Sequence, residues 1–236
     1  MVRLPLAIFR LWILLFFCGA IVTSAVAQTD ELTKLYPPAY VEVLRRAIQS
    51  FTARDMEGAL KHLSDADKMF PDTVYALNMR GAIAIEQKDF EAGMKYCRVT
   101  LEKDPKFFPA LFNLAEIPFV QKKYAESRKG FQALLEQNPK NELLQYRVYL
   151  TYLLEGDDAA AQKALDAIQF PSNTAAYYYA HAAWEFAHGN EEKALGWIRS
   201  GDWVFPATRN TNFADVLYDL GWMKRPGASE APEKKE

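Results

Sequence analysis

Three histidines set the outer limit of the chemistry this sequence could do. His181, Glu185 and His188 recur at helical intervals that place side chains on one face, and imidazoles with a carboxylate form a ligand set that zinc accepts. His181 and His188, however, lie seven residues apart, about 10 Å along a helix axis. That is too far for both to reach one ion at about 2 Å. His62 stands alone. The chain has no glycine-rich phosphate loop, no G-x-S-x-G and no H-E-x-x-H. The acid pair Asp157-Asp158 follows Gly156 in a turn and reads as solvated. No catalytic residue, metal site or cofactor is therefore expected, and the chain is not read as an enzyme.

The remaining reactive side chains point the same way. Cys97 falls at an apolar position of a helical pattern, where a thiol behaves as a small hydrophobe. The other cysteine, Cys18, lies in an apolar N-terminal run, so the mature chain has no partner for Cys97. Trp184, Trp197, Trp203 and Trp222 crowd the last fifth of the chain beside Tyr177, Tyr178 and Tyr179. They read either as an aromatic ligand pocket or as bulky rings sealing the end of the fold. Sealing is preferred, because Trp222 belongs to the terminal element.

The N-terminus carries an address. Arg3 and Arg10 precede an uncharged run over residues 11–22, and Ala25-Val26-Ala27 matches the small-x-small cleavage pattern of a secretory leader. Residues 1–27 are thus expected to be removed, leaving Gln28 first, in a periplasmic or secreted protein. The alternative is an uncleaved inner-membrane anchor over residues 11–29, close to the ~20 residues a bilayer needs. Contact with a membrane is expected only in that case. Without Arg3 and Arg10 the chain holds 26 basic and 30 acidic residues, net −4. No basic face suits phosphate neutralisation, so nucleic acid is not an expected partner.

Apolar residues recur at helical spacing through most of the chain. Pro71, Pro105 and Pro139 are 34 residues apart, and the small residues Ala59, Gly93, Ser127, Ala161 and Ala194 step by 34, 34, 34 and 33. Each period holds two amphipathic helices and a polar turn: Arg54-Asp55, Lys88-Asp89, Lys122-Lys123, Gly156-Asp157, Gly189-Asn190. The repeats run 40–71, 74–105, 108–139, 142–171 and 175–206, after a lead-in at 28–39. In the fourth, residues 159–168 form the second helix. Pro118, inside a first helix, predicts a kink. Residues 207–223 form a C-terminal capping element, its helix over 212–220 capped by Thr211 or Asn210. Residues 224–236 are polar and read as a disordered tail.

This period resembles the tetratricopeptide repeat (TPR). Small residues stand where paired helices cross, at Ala47, Gly81, Ala115 and Ala182 in first helices and along the Ala59-to-Ala194 ladder in second helices. Leu63, Cys97, Phe131, Leu165 and Ile198 fill the large position four residues on. Tyr149 departs from the small-residue rule. The resemblance implies an all-α, right-handed superhelical solenoid of about five repeats with a C-terminal capping helix.

The resemblance also implies a groove lined by first helices that holds a partner's extended peptide or helix. The matching positions are Leu44, Ile48 and Phe51, then Tyr75, Asn78 and Ala82. They continue through Phe112, Glu116 and Phe119, then Tyr146 and Leu150, then Tyr179, Ala183 and Phe186. So apolar a set suits an apolar or helical segment of another protein; equally, several of these side chains could pack as plain core against adjacent helices or the N-terminal segment. The expected function is an exported, non-enzymatic interaction adaptor or scaffold. The rival is a structural subunit of a cell-envelope assembly or secretion machine, working through its convex face and tail.

Overall fold

The computed structural model describes residues 32–225, and only the backbone of 207–209. The expected leader and nearly all of the expected tail lie outside those residues. Among the described residues every regular element is helical. After a helical turn at 32–35 come α1 (Pro38–Thr52), α2 (Met56–Met69), α3 (Val74–Glu86), α4 (Phe90–Lys103), α5 (Phe108–Val120), α6 (Tyr124–Gln137), α7 (Glu142–Glu155), α8 (Asp158–Asp166), α9 (Ala176–Ala187), α10 (Glu191–Val204) and α11 (Ala207–Asp219). They form five antiparallel pairs and a terminal helix. The chain divides into two compact units, Met1–Ala110 and Leu111–Glu236.

The turns inside the pairs obey one rule. Arg54, Lys88, Lys122, Gly156 and Gly189 have φ of 62°, 62°, 61°, 83° and 76°, so a left-handed residue ends every first helix. The next residue opens the second helix. Asp55, Asp89 and Asp157 accept hydrogen bonds from the amides of Gly58, Ala92 and Ala160 at 2.8, 3.0 and 3.0 Å. These caps satisfy backbone donors that the helix itself leaves open. Lys123 occupies the same place and makes no side-chain cap.

The small residues do what close helix crossing demands. In the first unit Ala47 and Ala59 are fully buried. A Cβ on Gly93 would stand 2.8 Å from Ile85 Cγ1, and one on Gly81 would stand 3.2 Å from Cys97 Sγ. Burial pushes the Cys97 thiol up to about 11. The N-terminal end of this core is aromatic: Tyr40 is fully buried, with the Tyr36 and Phe70 rings at 4.7 and 5.2 Å and its hydroxyl bonded to Thr73. In the second unit a Cβ on Gly130 would stand 2.8 Å from that of Ala115, and Ser127 Oγ donates to Ala115 O at 2.8 Å. α5 carries Pro118 inside it, in its last turn, and continues to Val120.

Three local expectations are corrected. α8 ends at Asp166, not Ile168, and the segment after it at 172–174 is bound to the first turn of α7. Glu142 accepts from Ser172 Oγ at 2.8 Å, from the Asn173 and Thr174 amides at 2.9 Å each, and from Thr174 Oγ1. α11 starts at Ala207 rather than at residue 212. Pro206, with φ −57°, already has the value a helix needs, so neither Asn210 nor Thr211 is the cap. Arg225 does not hang in a tail: its guanidinium holds Asp215 and Asp219 at 2.6 Å each and lies 4.9 Å from the Tyr218 ring.

Candidate protein-binding surface

The first-helix residues fall into three environments. In the first unit Leu44 is buried in the core, whereas Phe51, Tyr75, Asn78 and Ala82 are half-buried. Ile48 is 47% exposed. Tyr75 meets the Tyr36 and Phe107 rings edge-on at 6.1 and 5.4 Å. This unit therefore presents partly exposed apolar residues on its first helices, Ile48 and Phe51 near the end of α1 and Tyr75 in the first turn of α3.

α5 and α7 make a second environment around a residue that sequence reasoning passed over. The Arg147 side chain is 7% exposed, and its Nε lies 3.3 Å from Glu116 Oε2. Its guanidinium carbon sits 5.7 and 5.5 Å from the Phe112 and Phe119 ring centres. Phe119 is buried; Phe112 and Glu116 are half-buried. A cation this buried is tolerable because an opposite charge and two π-faces replace part of its lost hydration. The signal was present: Arg147 is the only charged residue between Glu142 and Glu155.

The third environment is covered. Tyr146 is fully buried, its hydroxyl donates to Phe213 O at 3.3 Å, and its ring lies 5.4 Å from that of Phe213. Tyr179 is 2% exposed, donates to Asp202 Oδ1 at 2.9 Å, and has the Phe213 ring at 6.2 Å. Burial raises both phenols, and for Tyr179 the neighbouring Asp202 carboxylate adds to it. Phe186 stacks on Trp222 at 5.9 Å. Leu150 and Ala183 are fully buried. The helix that covers them, α11, turns Asn210, Phe213, Ala214 and Leu217 inward, one helical face. Asn210, missed as anything but a cap, donates to Asp202 Oδ1 at 2.8 Å and to Phe205 O at 3.1 Å.

The aromatic cluster seals in part. Trp197 stacks on His181 at 4.5 Å and Trp184 on His188 at 4.2 Å, but Trp203 is 89% exposed and seals nothing. His188 Nε2 stands 3.5 Å from Asp158 Oδ2, while burial lowers the His181 pKa. Among the described residues no group of three His, Cys, Asp or Glu could hold a metal ion. No helix among them is long and apolar enough to cross a membrane.

No protein-family model and no curated protein matches the sequence. Solved structures do. The chain is similar to TTC0263, a TPR protein of Thermus thermophilus, with a TM-score of 0.59 at 16% identity over 76% of this chain and 99% of that one. This is the TPR fold. A TPR protein from Parabacteroides merdae matches over 78% of this chain and 74% of its own, at 18% identity and a TM-score of 0.47. In TPR terms, the left-handed residue at each turn and the small residues at each crossing are the repeating geometry. Tyr146, Tyr179 and Phe186 lie on first helices.

Proposed function

We propose that this chain is an exported, non-enzymatic adaptor whose first-helix faces bind an apolar or helical segment of another protein. One observation carries the reading: Tyr146 on α7 and Tyr179 on α9 already lie against an amphipathic helix, α11, through Phe213. A face that accommodates one such helix has the shape and apolarity for this kind of recognition. Ile48, Phe51 and Tyr75 repeat that apolar character on the first unit. The secretory pattern of residues 1–27 supports export.

The reading is tested by replacing Ile48 and Phe51 with aspartate and measuring recovery of crosslinked partners from the native envelope. Loss of those partners with unchanged far-UV circular dichroism is expected; undiminished recovery overturns the groove mechanism. Mass spectrometry of the exported chain is expected to find Gln28 first. A second reading has its own observation: Trp203 at 89% exposure, with Val204 beside it, favours a structural subunit that docks through a second helix. Trp203→Ser would then abolish assembly while Ile48→Asp would not.

A further inference from the structure

We infer that α11 is a displaceable placeholder, and that the face beneath it on α7 and α9 is the seat for a partner's amphipathic helix carrying α11's inward pattern. The inference rests on the adaptor reading and narrows it to one site and one ligand chemistry. The pattern is a polar side chain, an aromatic three residues later, then small and aliphatic residues one and four positions beyond that, as in Asn210, Phe213, Ala214 and Leu217.

The seat offers an acceptor at its polar end. Asp202, exposed near the end of α10, takes two donors on Oδ1, the Tyr179 hydroxyl and the Asn210 amide, so an incoming helix that brings a donor can use it. Asparagine answers this demand imperfectly: Asn210 is 1% exposed, and its Oδ1 is buried with no hydrogen-bond partner among the described residues. A lysine or serine at that position would satisfy the carboxylate with less unmatched acceptor. The resident helix therefore leaves one buried acceptor of its own unmatched.

α11 is held by apolar burial and three hydrogen bonds, Tyr146 to Phe213 O and Asn210 to Asp202 and Phe205 O. Its ion pairs, Arg225 with Asp215 and Asp219, run between its own end and the following residues and do not tie it to α7 or α9. Its first turn has no side-chain cap, and the segment leading to it at Phe205-Pro206 follows the exposed Trp203 and Val204. A tethered helix competes at a high effective concentration, so the seat stays closed to a weak ligand and opens to a better one.

The test uses the full mature chain and a fluorescein-labelled peptide with the sequence of residues 207–223, read by anisotropy. Phe213→Asp/Leu217→Asp in the protein is expected to tighten peptide binding at least about tenfold over the unchanged protein, because the tethered competitor has been removed. The same peptide bearing aspartate in place of its phenylalanine is expected not to bind. Equal affinity for both proteins overturns the proposal, as does no binding by a variant whose α7 and α9 amides remain protected. Should that variant unfold, hydrogen exchange on the unchanged protein decides. α11 amides exchanging at least about tenfold faster than those of α7 and α9 support the proposal, and exchange of all three together overturns it. Ile48→Asp/Phe51→Asp leaves peptide binding intact in either case, so failure of the adaptor reading shows separately, as undiminished partner recovery by that variant.

Discussion

Tyr149 is the residue at which the repeat's own pattern and the observed packing demand opposite outcomes. Four other first helices carry Ala47, Gly81, Ala115 and Ala182 at this position, so Tyr149→Ala looks like a repair. The packing says otherwise. Tyr149 is fully buried, its ring lies 6.4 Å from that of Tyr146, and its hydroxyl donates to Ala180 O at 3.0 Å, joining α7 to α9. Truncation to alanine removes an aromatic ring from a closed core, a change that costs about 3–5 kcal/mol. Tyr149→Phe removes only the hydrogen bond, about 1 kcal/mol. The chain beginning at Gln28 has four tryptophans, all between residues 184 and 222, so their emission reports on the unit that contains Tyr149. With an m-value of about 1.5 kcal/mol/M, a loss of about 3 kcal/mol lowers the urea midpoint by about 2 M. Tyr149→Phe should lower it by less than about 1 M on the same scale. An alanine variant as stable as the parent, or a phenylalanine variant as damaged as the alanine one, would refute this account of the fourth pair.

Three further outcomes follow from the same geometry. Lys122 has φ 61° and Lys123 makes no cap, so Lys122→Gly/Lys123→Asp should stabilise the second unit by about 1 kcal/mol, measured as a higher urea midpoint. Cys97, buried and with its thiol pushed up to about 11, should resist a thiol reagent at pH 8 and react fully once guanidinium unfolds the chain. Rapid native labelling would contradict its burial. His181 is held neutral by burial, which outweighs the opposing pull of Glu185 and Asp166. Its folded pKa lies below the unfolded value of about 6.5, so the unfolded chain takes up the proton first as pH falls. Its contribution to stability is complete above pH 6.5 and declines as the pH drops below it, and His181→Gln should flatten that part of the pH profile.

What was readable in the sequence was whatever repeats. The ladder from Ala59 to Ala194 shows where helices cross, and the dipeptides from Arg54-Asp55 to Gly189-Asn190 show where the chain reverses, because steric demands recur with each pair. What was not readable was which neighbour covers an apolar face. Tyr146 and Tyr179 look the same in sequence whether they await a ligand or lie under a helix from the far end of the chain. The contact that decides between these, Tyr146 with Phe213, spans 67 residues. Arg147 and Asn210 escaped for a related reason. Each is polar, and its burial depends on a partner, Glu116 or Asp202, that periodicity does not reveal. The hold of Glu142 on residues 172–174, just past the shorter α8, was likewise not readable, because it depends on hydrogen bonds that no local propensity encodes.

The central claim is that partners meet this protein on its first helices. Site-specific photo-crosslinking tests it directly, with a benzophenone amino acid placed in turn at Ile48, Phe51 and Tyr75 on first helices, and at Lys95, Lys129 and Arg199 on second helices. One shared partner adduct is expected from the first three positions and none from the other three. Adducts confined to the second-helix positions would contradict it.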